Sequence, residues 1–175
     1  MTTVIFDSVY GSTQRYAQEL ANQLNAEILP LADAKNQAHL DKLGVDKQPL
    51  IVMSPVHGPS ITGADFVKKH DFGDRPVAVV VVGMTLLEEA RAKDQLAIPL
   101  AKKPAVEHFY LPGRLNYSEL KFKHKMIMKT MIAALRQKKD RTPNEQNMVD
   151  CYERDVDETN FAELAPIVQW AQCNS

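Results

Sequence analysis

Five short apolar runs, Val4–Phe6, Ala26–Leu31, Leu50–Met53, Val77–Val82 and Val106–Leu111, recur along the first two thirds of the chain, with helical patterns between most of them. The purest of these runs read as strands buried on both faces, which a sheet achieves only when helices cover both of its sides. Strands alternating with helices predict right-handed crossovers and a parallel sheet, hence a three-layer α/β sandwich.

With 175 residues and no Gly/Ser/Pro-rich linker, the sequence predicts one domain, residues 1–175. A hydrophobic fraction of 45% beside 25% charged residues suits a globule with a sizeable core and argues against disorder. The formal net charge of -1 offers no global attraction for nucleic acid, so no nucleic-acid partner is predicted. Cys151 and Cys173 are too far apart for a metal knuckle, and His39, His70, His108 and His124 show no ligand spacing, so no metal site is predicted. The sequence opens directly on a strand pattern and its longest apolar run is strand-sized, which predicts a cytoplasmic chain without a membrane span.

The helices can be placed from periodicity. Ala17, Leu20, Ala21 and Leu24 form a stripe for the sheet, and Ser12 or Thr13 is positioned to cap that first helix. The segment Asp33–Lys47 is weakly patterned, with Leu40 and Leu43 as anchors. Further helices are predicted over Ala64–His70 and Glu88–Leu100, and a last one from about Asp157, carrying Phe161, Leu164, Ile167, Val168 and Trp170 and bent by Pro166.

Ser118–Lys139 departs from the alternation: it is long, helical and basic, and no sixth strand follows it. Ile127, Met128, Met131, Ile132 and Leu135 can form an apolar face. Lys121, Lys123, Lys125, Lys129, Arg136, Lys138 and Lys139 supply positive charge. Two readings stand: a solvated helix packed on the domain, or a basic amphipathic surface for peripheral contact with an anionic membrane or an acidic partner.

In open parallel sheets ligands sit outside the carboxyl ends of the strands. After the first strand comes Asp7-Ser8-Val9-Tyr10-Gly11-Ser12-Thr13, running straight into a helix. Hydroxyls, a glycine and the unpaired N–H groups of a helix start make a phosphate nest. The loop has neither G-x-G-x-x-G nor G-x-x-x-x-G-K-[ST], which disfavours dinucleotide and nucleoside-triphosphate sites. Ser54-Pro55 stands where a phosphoacceptor domain needs aspartate, and neither cysteine lies near the loop to act as a phosphatase nucleophile.

The hydroxyl-x-x-Gly-x-Thr pattern of Ser8, Gly11, Ser12 and Thr13, with Tyr10 in place of the usual threonine, resembles the flavodoxin phosphate loop. The resemblance implies a flavodoxin-like α/β/α sandwich with five parallel strands ordered 2-1-3-4-5, a helical insertion after the fifth, and an FMN cofactor. It further implies flavin contacts from Ser54, Pro55, Val56, His57 and Gly58 after the third strand, and from Met84, Thr85 and Leu86 after the fourth. Asp65–His70, Leu111–Tyr117 and the basic, methionine-containing helix resemble the menaquinone-dependent protoporphyrinogen oxidase branch. That likeness implies an oxidoreductase with a porphyrinogen substrate and a quinone acceptor, and Arg114 and Tyr117 on the substrate side.

Each assignment has a plainer counterpart. Ser8, Gly11, Ser12 and Thr13 fit a helix start as well as a phosphate site. His57, the candidate catalytic residue, fits a proton donor or a solvated loop histidine. Tyr10 fits a flavin contact or a lid packed over the loop, and Arg114 a substrate contact or a solvated loop residue. Neither flavin-bordering loop carries Trp, Tyr or Phe, which leaves a flavodoxin-fold binding or regulatory module without productive FMN as the alternative. A soluble electron carrier is the third, against which the near-neutral charge argues.

Overall fold

The computed structural model describes residues 1–56 and 60–175. Its centre is a parallel sheet of β1 (Thr3–Phe6), β2 (Glu27–Pro30), β3 (Leu50–Pro55), β4 (Val77–Gly83) and β5 (Glu107–Pro112), ordered β2-β1-β3-β4-β5. This is the predicted flavodoxin-like order. β1 pairs from Thr3 with Leu50 to Phe6 with Met53, and β3 with β4 from Leu50 with Val77 to Pro55 with Val82.

Side chains alternate across the sheet with the period of two that strands impose. Ile5, Leu50, Val52, Val79 and Val81 meet Phe66, Val67, Leu96 and Leu100 on one face. Val4, Ile51, Met53, Val80 and Val82 meet Tyr16, Ala17, Leu20, Leu164 and Ile167 on the other. Because both faces are covered, β3 and β4 are apolar along nearly their whole length, as the sequence implies.

The helices are α1 (Ser12–Leu24), α2 (Leu31–Ala34), α3 (Gln37–Val45), α4 (Thr62–Lys69), α5 (Leu87–Ala92), α6 (Phe122–Gln137), α7 (Pro143–Asp150) and α8 (Ala165–Cys173). The weakly patterned Asp33–Lys47 region divides into α2 and α3, with Leu43 buried and Leu40 packed against the core. The helix expected over Glu88–Leu100 stops at Ala92. Lys93 is extended, and Asp94 then restarts the chain in turns by accepting the N–H of Leu96 at 2.8 Å. Leu96 and Leu100 reach the core from those turns.

The last helix also starts later than expected. Val156–Asp157 forms a short strand, β7, antiparallel to β6 (Arg114–Leu115), and Phe161–Leu164 is a 3-10 turn. Pro166 falls in the first turn of α8, where its missing N–H has no intrahelical acceptor to lose, so it starts the helix instead of bending one. The insertion is thus larger than Ser118–Lys139. It leaves the sheet at Gly113 and returns at Asn160, with α6 and α7 between the two strands of the β6–β7 ribbon. On α6 only Ile132 is fully buried, while Ile127 and Met131 of the expected apolar face stand in solvent.

Tyr16 closes this excursion. Its fully buried ring places the hydroxyl 2.7 Å from the Pro112 carbonyl, to which it donates, and 2.7 Å from the Asn160 N–H, from which it accepts. Burial pushes its phenol above the ordinary value, so it stays a neutral donor and acceptor. At the opposite end of the sheet the buried Arg75 donates to the carbonyls of Leu43, Gln48 and Pro49 and to the Thr3 hydroxyl, tying α3, the loop after it and β1 together.

Candidate functional site

The loop from β1 to α1 is built around Gly11, whose φ of 87° lies in the left-handed region that glycine adopts without strain. Gly11, not Ser12 or Thr13, is the N-cap residue of α1. Ser12 and Thr13 form the first turn and are buried. Ser8 does the capping from across the loop: its Oγ accepts the N–H of Gly11 at 3.1 Å and of Gln14 at 3.3 Å. Among the described residues the N–H groups of Ser12 and Thr13 have no acceptor, and the positive end of the α1 dipole adds to them. Two convergent donors at the start of a 13-residue helix suit an anion.

A cation stands at this loop. Arg114, on β6, donates from Nη2 to the Tyr10 carbonyl at 3.0 Å, and the same nitrogen lies 3.9 Å from where a Cβ on Gly11 would sit. Its Nε is buried and has no hydrogen-bond partner among the described residues. The Tyr10 ring does not end in open solvent: its hydroxyl lies 2.8 Å from Nδ1 of His124 on α6. The insertion therefore touches the loop twice, through Arg114 and through His124.

The loop after β3 is described as far as Val56. Ser54 is fully buried, and its Oγ accepts the N–H of Gly63 at 3.0 Å, which fixes the start of α4. Pro55 ends β3 half-buried, and Val56 extends the ladder with its N–H on the Val82 carbonyl. His57 and Gly58, two of the predicted flavin contacts, lie outside the described residues. Asp7 accepts from the Thr62 hydroxyl at 2.7 Å and so joins the first loop to α4.

After β4, Met84, Thr85 and Leu86 are half-buried. Tyr110 of β5 donates its hydroxyl to the Thr85 carbonyl at 2.7 Å, and burial pushes its phenol up. The N–H of Leu86 donates to Oδ1 of Asn144 on α7, whose own N–H donates to Glu89. Gly113 donates to the Gly83 carbonyl at 2.6 Å, an approach that leaves 3.1 Å between that oxygen and any added Cβ. The insertion thus reaches two of the three predicted loops, the first through His124 and Arg114 and the third through Asn144. Tyr117 lies within the insertion, edge-on to Tyr152 at 5.5 Å.

Sequence reasoning missed His124 and Asn144, since nothing local marks a contact 114 or 58 residues away. A signal for α7 was present: Thr142-Pro143-Asn144-Glu145 is a capping box with proline at the helix start, and both reciprocal bonds form. A cavity of about 570 Å³ runs along the outer edge of β5, lined by Arg91, Asp94, His108 and Glu163 among others, and includes none of the phosphate-loop residues. Among the described residues no group of three His, Cys, Asp or Glu side chains could hold a metal ion, and no helix is long and apolar enough to cross a membrane.

Comparison with known proteins agrees with the fold. The model of the flavodoxin domain family matches residues 3–142, four fifths of the chain. Among solved structures, a flavodoxin, WrbA-like protein from Agrobacterium tumefaciens superposes with a TM-score of 0.51 over 99% of this chain and 98% of its own, at 14% identity. A candidate flavoprotein from Bacteroides eggerthii gives 0.45 over 62% and 84%, at 10% identity. No curated protein matches in sequence. The chain belongs to the flavodoxin domain family.

Proposed function

We propose that this chain binds FMN at the carboxyl end of its sheet and works in electron transfer. The observation that carries this reading is the pair of first-turn amides, Ser12 and Thr13, that have no acceptor among the described residues, beside Gly11 in its left-handed conformation and the Arg114 guanidinium. Backbone donors, a helix dipole and a partly desolvated cation together suit a dianionic phosphate, and the orphaned Arg114 Nε offers a further donor. The donor set therefore fits the group.

Within this reading each part of the chain has a stated task. The N–H groups of Ser12 and Thr13 hold the phosphate, and Gly11 keeps its Cβ-free face open for it. Ser8 supports the turn. Pro55, Val56, His57 and Gly58 border one side of the flavin ring and Met84, Thr85 and Leu86 the other. Bound FMN supplies the redox chemistry, accepting and releasing electrons, while the protein fixes its position and tunes its potential through nearby hydrogen bonds and exclusion of water. No side chain is required as a nucleophile.

The finer reading is oxidation of a porphyrinogen with a quinone as acceptor. What supports it is the resemblance of Leu111–Tyr117 and the basic helix, together with an insertion that folds against the phosphate loop and the loop after β4. His57 is the proposed proton donor in that chemistry.

The test is a fluorescence titration with FMN of the wild-type protein, Gly11→Val and Arg114→Met. Saturable binding that both substitutions weaken supports the site. No quenching up to high micromolar FMN leaves a flavodoxin-fold module that acts without flavin. If binding holds, anaerobic assays with a porphyrinogen and a quinone separate the enzyme from a soluble electron carrier.

A further inference from the structure

From the surface of α6 we infer that this chain docks on anionic lipid bilayers through one face of that helix. The inference is independent of flavin binding. Four large apolar side chains stand exposed within ten residues: Phe122 at 79%, Met126 at 47%, Ile127 at 56% and Met131 at 37%. Helical spacing sets Phe122 above Met126 and Ile127 above Met131, with Lys123 between the two pairs and Lys129 at the border beside Phe122. The packed side of the helix is a different one, marked by Ile132, Met128, Leu135 and His124.

The charge on this face is of one sign. α6 contains no acidic residue. Some of the nearby cations are already engaged: Lys138 pairs with Glu145, Arg136 lies over the Tyr152 ring, and Lys125 donates to the Ser118 carbonyl beside the Tyr117 ring. Lys121, Lys123 and Lys129 have no carboxylate partner among the described residues. The occupant must therefore bring negative charge and accept apolar side chains at the same spots.

A lipid headgroup layer meets both demands where an acidic protein meets them poorly. The apolar side chains project from a convex helix and are interleaved with lysines, instead of forming a dry patch with a separate charged rim. At a bilayer surface Phe122, Met126, Ile127 and Met131 enter the acyl boundary while the lysine stems lie along it and their ammonium groups reach lipid phosphates.

The experiment is co-sedimentation of the full chain with vesicles of phosphatidylcholine alone and of an equal mixture of phosphatidylcholine and phosphatidylglycerol. Binding is expected to the mixed vesicles only, and raised salt should release it. Lys123→Gln and Lys129→Gln should each lower partition by about fivefold. Phe122→Ser with Ile127→Ser should lower it at least as much, all with unchanged circular dichroism and melting. Equal partition onto both vesicle types, wild-type partition by all the variants, or binding of poly-glutamate without binding of mixed vesicles would each overturn the inference, the last in favour of an acidic protein partner.

Discussion

The Tyr10 hydroxyl lies 2.8 Å from Nδ1 of His124, so the loop that begins the fold and the helix inserted after its last sheet strand are held to each other across 114 residues of chain. This contact ties the insertion to the β1–α1 loop, the proposed phosphate site, so it is not a free appendage. Removing it by Tyr10→Phe should loosen both sides: hydrogen exchange in the first turns of α6 should speed up, and FMN should bind roughly threefold to tenfold more weakly. Unchanged exchange and unchanged affinity would mean that the two elements are held by other contacts.

Arg114 should matter for affinity more than for folding. Arg114→Met keeps much of the apolar stem and removes the charge-assisted donors, which corresponds to roughly ten- to hundredfold weaker FMN binding. Lysine at this position, a point charge without the planar fork, should recover only part of the loss. Isothermal titration of the two variants measures both effects. Wild-type affinity in Arg114→Met would remove the guanidinium from the phosphate site.

Gly11→Ala should cost about 1–2 kcal/mol of stability, because its φ of 87° lies where a Cβ meets the following carbonyl. Urea unfolding followed at the tryptophan gives the number. A neutral effect would show that the loop relaxes to another conformation.

Much of the fold can be read from the sequence because parallel strands buried on both faces leave a plain signature. The Val77–Val82 run needs no periodicity argument, and the stripe Ala17, Leu20 and Ala21 fixes the inner face of α1. Where reading fails, the deciding interaction is either too short or too distant. A two-residue ribbon such as β6–β7 leaves no hydrophobic pattern, so Asp157 passes for a helix start. The Glu88–Leu100 segment has the leucine spacing of a helix, yet the Asp94 side chain captures the N–H of Leu96 and turns win locally. At the site, Ser8, Gly11, Ser12 and Thr13 form a legible motif, but the role of Gly11 as N-cap depends on its φ. The placing of Arg114 beside it depends on an antiparallel pairing that returns from Asp157.

Tyr16 should prove a structural keystone for the insertion. In Tyr16→Phe the Pro112 carbonyl and the Asn160 N–H lose their shared partner inside the domain, a loss of roughly 1–3 kcal/mol. Chemical denaturation measures it. Native stability in the variant would mean that water replaces the hydroxyl at no cost.

The insertion should loosen in acid before the sheet does. The Asp155 carboxyl is held below its usual range first by the Ser118 N–H and then by the Ser118 hydroxyl, and Glu145 first by the Lys138 ammonium. Depressed carboxylates contribute stability above their unfolded values and lose it as pH falls through the folded ones. Near-ultraviolet circular dichroism of the Tyr117–Tyr152 pair should therefore decline below the ordinary carboxylate range, about pH 4, while far-ultraviolet signal from the sheet persists. Simultaneous loss of both signals would contradict this order.

Comparing FMN with riboflavin in equilibrium titrations of the same purified protein tests most directly whether the Ser12 and Thr13 amides, with Arg114 beside them, hold a phosphate. The two ligands share the flavin ring and differ in the phosphate. FMN should bind at least a hundredfold more tightly, with the difference shrinking in Arg114→Met. Equal affinity for the two, or no binding of either, would contradict a phosphate site at the start of α1.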